Sequence, residues 1–320
     1  MKKVLSAIIA VILCVSFCLL AVSCTNGGTK KYSIGIVQIV QHEALDAATE
    51  GFKKALTDKL GADNVTFDYQ NASGDTANCT TIVNGFVANK VDLIMANATP
   101  SLQAAYNATQ TIPIVGTSVT DYGEALGLTN FNGTVGSNVS GTSDLVPLDK
   151  QAQMILDLFP ETKTVGLLYC SAEANSLYQV KVVEEYLAGK GVTAKRYSFS
   201  DSNDVSAVTT TAAAESDVIY VPTDNTAAAA AEIIGSILRN AKKPAIAGEE
   251  GICSKCGVAT LSISYYDLGY KTGEMAAKIL KGEEKIENMA IAYAPTTKKY
   301  NKTISDELGI TIPDGYTEIK

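Results

Sequence analysis

Apolar and polar positions alternate in blocks from residue 32 onward. "YSIGIVQIV" (32–40) is mostly apolar over the length of a strand. "EALDAATEGFKKALTDKL" (43–60) follows, with Leu45, Ala48, Phe52, Leu56 and Leu60 at helical spacing. Further strands are predicted over 65–70, 91–97, 112–119 and 134–142, separated by helices over 76–89 and 100–109. The pattern then restarts. Helices over 149–159, 176–191, 203–214, 225–241 and 266–282 interleave with strands over 164–170, 192–199, 216–223, 244–249 and 258–264. Such alternation predicts parallel sheets covered on both faces, and two successive sets predict two doubly wound α/β domains.

In sheets of this kind ligands bind beyond the carboxyl ends of the strands. Those ends are unusually polar here: "QHE" (41–43), "QNASGD" (70–75), "NATPS" (97–101), "TSVTD" (117–121), "SAEANS" (171–176), "PTDN" (222–225) and "GEEG" (248–251). Any single Ser, Thr, Asp or Asn in them is adequately explained as a helix cap or turn residue. Seven polar ends in two sets point instead to two sheet edges facing each other across one cleft.

Before residue 32 the pattern differs. Lys2 and Lys3 precede a nearly continuous apolar run, Val4 to Val22, which ends in Leu20-Ala21-Val22-Ser23-Cys24. This resembles a bacterial lipoprotein signal, 1–23, cut before a cysteine whose thiol carries a diacylglycerol. Cys24 is thus the expected lipidation site, and 24–31 has the composition of a flexible tether. No second apolar run is long enough to span a bilayer. Net charge is −8 with no sizeable basic cluster, which argues against nucleic acid as a partner. Cys253 and Cys256 form a single CxxC in a short glycine-bounded stretch, read as a loop holding a local disulfide or two free thiols. The one histidine, His42, is distant in sequence, so no metal and no cofactor is expected. No nucleophile–base motif, H-E-x-x-H or P-loop is present, so the chain reads as a binding protein rather than an enzyme.

The stretches "IGIVQIVQHEALDAATEGF", "DYQNASGD", "DLIMANATPSLQAA", "IPIVGTSVTD", "SDLVP", "GLLYCSAEANS", "SNDV", "IYVPTDNT" and "DLGYKTGEMAAKILKGE" cover nearly the whole chain after the leader. Together they resemble the substrate-binding lipoproteins of ABC importers with the type I periplasmic-binding fold. The branch that includes tryptophan and other aromatic amino-acid receptors is the more similar. Two features depart from that pattern: Tyr122 follows Asp121 where the family often has proline, and the Cys253–Cys256 segment lies outside it. The resemblance implies three crossings between domains, near 143–147, 264–266 and Lys285. The domains are then 32–144 with 266–285, and 145–265 with 286–320. It also implies hinge closure on a free amino acid, a monomer anchored to the outer face of the membrane through the lipid on Cys24, and ABC permease and ATPase subunits as partners.

A free amino acid presents a carboxylate and an ammonium. Thr99, Ser101, Ser118, Asn175 and Ser176 sit at helix starts and are candidate donors to the carboxylate. Glu43, Asp121, Asp224, Glu249 and Glu250 compete for the ammonium. Glu173, Asn225 and Tyr265 complete the candidate ligand-binding set. No Lys or Arg lies in the seven ends, which counts against phosphates and dicarboxylates. Tyr106, Tyr122, Tyr178, Tyr265 and Tyr266 lie near element ends and offer faces to an aromatic ligand. The aromatic assignment, tryptophan before tyrosine or phenylalanine, rests mainly on the resemblance. The alternative is a sensor component presenting a nucleoside or sugar to a membrane receptor.

Overall fold

The computed structural model describes residues 30–319. The leader, Cys24 and its tether up to residue 29 lie outside the described residues, so the expectations placed there are not addressed by the fold. The first half runs β1 (Tyr32–Gln38), α1 (Glu43–Leu60), β2 (Val65–Asn71), α2 (Thr76–Ala88), β3 (Leu93–Asn97), α3 (Thr99–Ala108), β4 (Ile114–Val119), α4 (Tyr122–Leu126) and β5 (Val139–Ser143). The second runs α5 (Leu148–Leu158), β6 (Thr164–Cys170), α6 (Ala174–Gly189), β7 (Thr193–Phe199), α7 (Val205–Glu215), β8 (Val218–Val221), α8 (Asn225–Ala229), α9 (Ala231–Asn240), β9 (Ala245–Ala247), α10 (Glu250–Cys256) and β10 (Ala259–Ser262). Then come α11 (Tyr265–Lys281), β11 (Ala292–Tyr293), β12 (Thr297–Tyr300), α12 (Lys302–Leu308) and β13 (Thr317–Glu318).

Two sheets result, ordered β11-β5-β4-β3-β1-β2 and β13-β12-β10-β9-β8-β6-β7. Every pairing is parallel except β10 with β12. The alternation of side chains along each strand feeds two cores. In the first sheet Ile34, Ile36, Leu93 and Met95 pack with Phe52 and Leu56 of α1 and Ala276 of α11. On the opposite face Val37, Ile94 and Ala96 pack with Val83 and Phe86 of α2 and Leu102 of α3. The second sheet repeats this arrangement: Val165 and Leu167 face α5 and α6, while Leu168, Ile219 and Val221 face α7, α9 and α10. Both faces are covered, which is why the strands read as apolar runs.

The chain crosses between sheets three times. The first two crossings fall at 144–147 and 263–264. The third lies at 294–296, because β11 first pairs with β5 of the first sheet. It was expected near Lys285; a two-residue strand carries too little pattern to be seen in sequence. The Cys253–Cys256 segment is also corrected, from a loop to the end of α10. Its cysteines are free and buried, as are Cys79 and Cys170.

Helix α11 returns to the first half because three glycines allow it to lie against α1. A Cβ on Gly269 would stand 1.9 Å from the Ala48 carbonyl oxygen, and one on Gly51 would stand 2.1 Å from that of Tyr266. Gly273 is nearly as tight against Ala55. Backbone meets backbone here, so no side-chain rotation can relieve the overlap. Gly269→Ala should therefore lower stability by about 1–3 kcal/mol despite alanine's better helix propensity. A thermal melt of the variant, with Gly85→Ala on the open face of α2 as control, checks this.

Candidate functional site

The carboxyl ends of β1, β3 and β4 face those of β6, β8 and β9. Between them lies a narrow cavity. The first half contributes His42, Leu45, Ser118, Thr120 and Asp144, and the second contributes Asn175, Thr223, Asp224, Asn225 and Glu249, with Tyr265 at the start of α11. Its free volume is about 10 Å³, the scale of a single water molecule.

Local backbone geometry aims these side chains. Ser118 has φ +54°, a left-handed conformation uncommon outside glycine, and sits at a register shift between β4 and β5. Such an irregularity re-aims a side chain and stores about 1–3 kcal/mol of strain. Ala98 at the end of β3 is strained likewise, with φ +87°, and turns the chain directly into α3. Strain at two adjacent strand ends marks the place where the fold gives up stability for geometry.

The carboxylates dominate the electrostatics. Asp144 is 4% exposed, Asp224 1% and Glu249 2%. Burial raises Asp144 to about 6, Glu249 to about 7 and Asp224 to about 7, the last with help from the charge of Glu173. No lysine or arginine lines the cavity among the described residues. The one nearby base, His42, is held below its ordinary pKa by burial, and so stays neutral. Burying a carboxylate is costly unless it finds a cation or donors.

Donors are unevenly shared. Asp224 accepts from Cys170 N (2.6 Å) and Ala227 N (2.7 Å), and Glu249 from Gly251 N (2.6 Å) and Ile252 N. Both are N-caps of the helices that follow them. Asp144 accepts at Oδ2 from the Tyr265 hydroxyl (3.0 Å), and its Oδ1 has no partner. Ser118 Oγ and Asn175 Oδ1 are likewise buried without partners. A buried polar atom left unpaired costs about 1–3 kcal/mol. Three around one cavity form a set of positions waiting for hydrogen bonds: two acceptors, and a hydroxyl able to donate.

Six sequence candidates line the cavity: Ser118, Asn175, Asp224, Asn225, Glu249 and Tyr265. Glu173 lies behind it, with both oxygens taken by the backbone and side-chain groups of Asn225 and Thr226. Ser176 supports Asp224 from the same side. Thr99 is buried at the start of α3 with an unpaired hydroxyl, outside the cavity lining. Four candidates are directed elsewhere. Ser101 faces Cys79 (3.7 Å) within the first half, and Asp121 caps α4 through Glu124 N (2.8 Å). Glu43 is exposed and pairs with Lys255 (3.4 Å), while Glu250 pairs with Lys299. Of the five tyrosines only Tyr265 reaches the cavity. Tyr122 donates instead to the Thr142 carbonyl (3.1 Å). Sequence reasoning missed Asp144, Thr120, Thr223 and His42. The available signal for Asp144 was a lone carboxylate in the otherwise uncharged segment "TSDLVP" between the two sets of strands. For His42 it was position, within a polar strand end.

The match to known proteins decides the family. The model for "ABC transporter substrate binding protein" fits residues 33–318. This chain belongs to the ABC transporter substrate-binding proteins. A tyrosine-binding protein of Clostridioides difficile is 40% identical over 295 residues, 88% of this chain and 85% of the relative. The structure of an ABC domain in complex with L-Trp from Streptococcus pneumonia superposes with a TM-score of 0.86 at 32% identity, covering 91% of this chain and all of that one. A ligand-free, open substrate-binding protein with adhesive properties from Clostridium difficile is 40% identical, with coverage of 90% and 99%, yet its TM-score is only 0.68. The substrate-binding protein is thus nearer in shape to the less similar, ligand-bound relative. Two mostly parallel α/β domains joined by three crossings give it the type I periplasmic-binding architecture.

The raised carboxylates make stability depend on pH. An acid whose folded pKa lies above its unfolded value holds extra protons in the folded state between the two values. Stability therefore falls as pH rises from about 4 to 7 and stays reduced above. His42, depressed by burial, acts in the opposite sense below its ordinary pKa, one group against three. Melts of the ligand-free protein between about pH 5 and pH 8 should show wild type losing stability toward pH 8 relative to Asp144→Asn/Glu249→Gln. Parallel curves for the two proteins would show that these carboxylates carry no burial penalty.

Proposed function

We propose that this substrate-binding protein captures a free aromatic L-amino acid, tyrosine and tryptophan ahead of phenylalanine, outside the cytoplasm and delivers it to an ABC permease. The observation that carries the reading is the triad of buried carboxylates, Asp144, Asp224 and Glu249, around a cavity that no lysine or arginine lines among the described residues. An α-ammonium supplies the missing charge, with Asp144 Oδ1 and Asn175 Oδ1 as its unpaired acceptors. Ser118 Oγ is the matching donor for the carboxylate. Because Asp224 and Glu249 are already occupied as caps, Asp144 is the main ammonium partner. The aromatic side chain is supported by the tyrosine-binding relative and the L-Trp complex. The greater likeness to that complex than to the open relative supports a closed cleft and a hinge at the three crossings.

The chain contains no tryptophan, so indole emission in a titration comes from the ligand alone. Adding L-tryptophan should give a saturable change in its emission, displaced by L-tyrosine. Asp144→Asn should weaken binding about ten- to a hundred-fold, the loss of one charged hydrogen bond. The unliganded variant should be no less stable, since a desolvated carboxylate has been removed. Unchanged affinity in Asp144→Asn would remove it from the site, and no response to any aromatic amino acid would refute the reading.

The lipid anchor on Cys24 belongs to the same proposal. Intact protein extracted from membranes should give an N-terminal peptide that begins at a diacylglyceryl-modified Cys24. A soluble chain still carrying Lys2 and Lys3 would contradict it.

A further inference from the structure

The cleft does not end at the narrow cavity. The sheet orders place that cavity toward the crossings, where Asp144 and Tyr265 lie. At the far edge, where β2 and β7 close the two sheets, a second chamber of about 420 Å³ opens between the halves. Its apolar lining is Ile39, Val40 and Pro100 on one side and Ala172 and Ala229 on the other; serine and threonine hydroxyls share the wall, Asp75 and Asp201 are exposed in it, and no lysine or arginine lines it among the described residues. Asn225 lines both chambers, and its side chain is fixed there by Glu173 Oε2 (2.6 Å).

We infer that this mouth chamber is the side-chain subsite: the ligand's head group binds at the narrow end, and its ring passes Asn225 to lie among Ile39, Val40, Pro100, Ala172 and Ala229. The inference rests on the amino-acid reading above and extends it to specificity. Three observations carry it. First, the unpaired Ser118, Asp144 and Asn175 atoms fix where the head group goes, and the free space beside them is too small for a ring. Second, among the described residues two larger cavities adjoin the narrow end, one sharing Asn225 with it and the other sharing His42 and Glu249. The other, about 210 Å³, is lined by Gln41, His42, Glu43, Glu232 and Lys255, and the Lys255–Glu43 (3.4 Å) and Lys255–Glu232 (3.7 Å) pairs stand in it. A ring there would break those pairs and desolvate charges without replacing them. Third, the mouth chamber is the larger and the less polar of the two, which suits a large uncharged side chain. Its two aspartates disfavour ligands with an acidic side chain.

Two substitutions test this without touching the head-group atoms. Ala172 and Ala229 are both exposed, so a larger residue is accommodated by the fold. Ala172→Phe and, separately, Ala229→Phe should each lower L-tryptophan affinity at least ten-fold. A crystal structure of the wild-type complex with L-tryptophan should place the indole against Ile39, Val40 and Pro100. An indole on the Lys255 side, or unchanged L-tryptophan affinity in both variants, overturns the inference and leaves the amino-acid reading intact. Failure of the wild-type protein to bind any α-amino acid overturns the amino-acid reading itself and this inference with it.

Discussion

The cleft is organised by an unbalanced charge. Asp144, Asp224 and Glu249 are withdrawn from water around one narrow space, and among the described residues no lysine or arginine lines it to meet them. Two of the three are kept in place by helix N-termini, which offer backbone donors at fixed positions. The third, Asp144, sits on the first crossing between the halves and keeps one oxygen unpaired. A site with this deficit favours a ligand that carries positive charge, and it lies beside the first crossing between the halves.

The fold serves that arrangement. Parallel strands bring all their carboxyl ends to one edge of each sheet, so facing the two edges gathers loops from six strands into one cleft. Helix α11 belongs to the first half through the close approach of Gly51, Gly269 and Gly273 to α1, although in the chain it directly follows β10 of the second sheet. Its first residue, Tyr265, holds Asp144 (3.0 Å). One hydrogen bond thus links the first crossing to the second. Across the cleft, His42 Nε2 lies 3.4 Å from Asn225 Oδ1, and Lys255 pairs with Glu43. These contacts join the halves directly, and a ligand bridging the same surfaces shifts the balance toward the closed form.

Much of this was legible in the sequence because it depends on period. The apolar runs at "VGLLYC" and "DLIMA" are strands buried on both faces, and Leu45, Phe52 and Leu56 mark the buried stripe of α1. What was not legible lacks a period. The pair Ala292–Tyr293 is too short to show alternation, so the third crossing was misplaced. Helix α10 is a single short segment around two cysteines and two flanking glycines, and reads as a loop. At the site the difficulty is chemical. Asp121, Asp224 and Glu249 look the same in sequence, each a carboxylate before a helix, and each does cap one. Only the position of the opposing half shows that Asp224 and Glu249 also face the cavity while Asp121 does not. Asp144 and His42 become site residues only when the crossings fold the two sets of strand ends together.

The most direct test of the central claim is the number of protons released when the ligand binds. An ammonium that enters beside carboxylates raised to about 6 and 7 lowers their pKa values and expels protons. Calorimetric titration with L-tryptophan at about pH 6.5, in buffers of differing ionisation enthalpy, measures that number. The account predicts net proton release that disappears by about pH 8.5, where the carboxylates are ionised before binding. Binding with no proton exchange at pH 6.5, or with proton uptake, would contradict it.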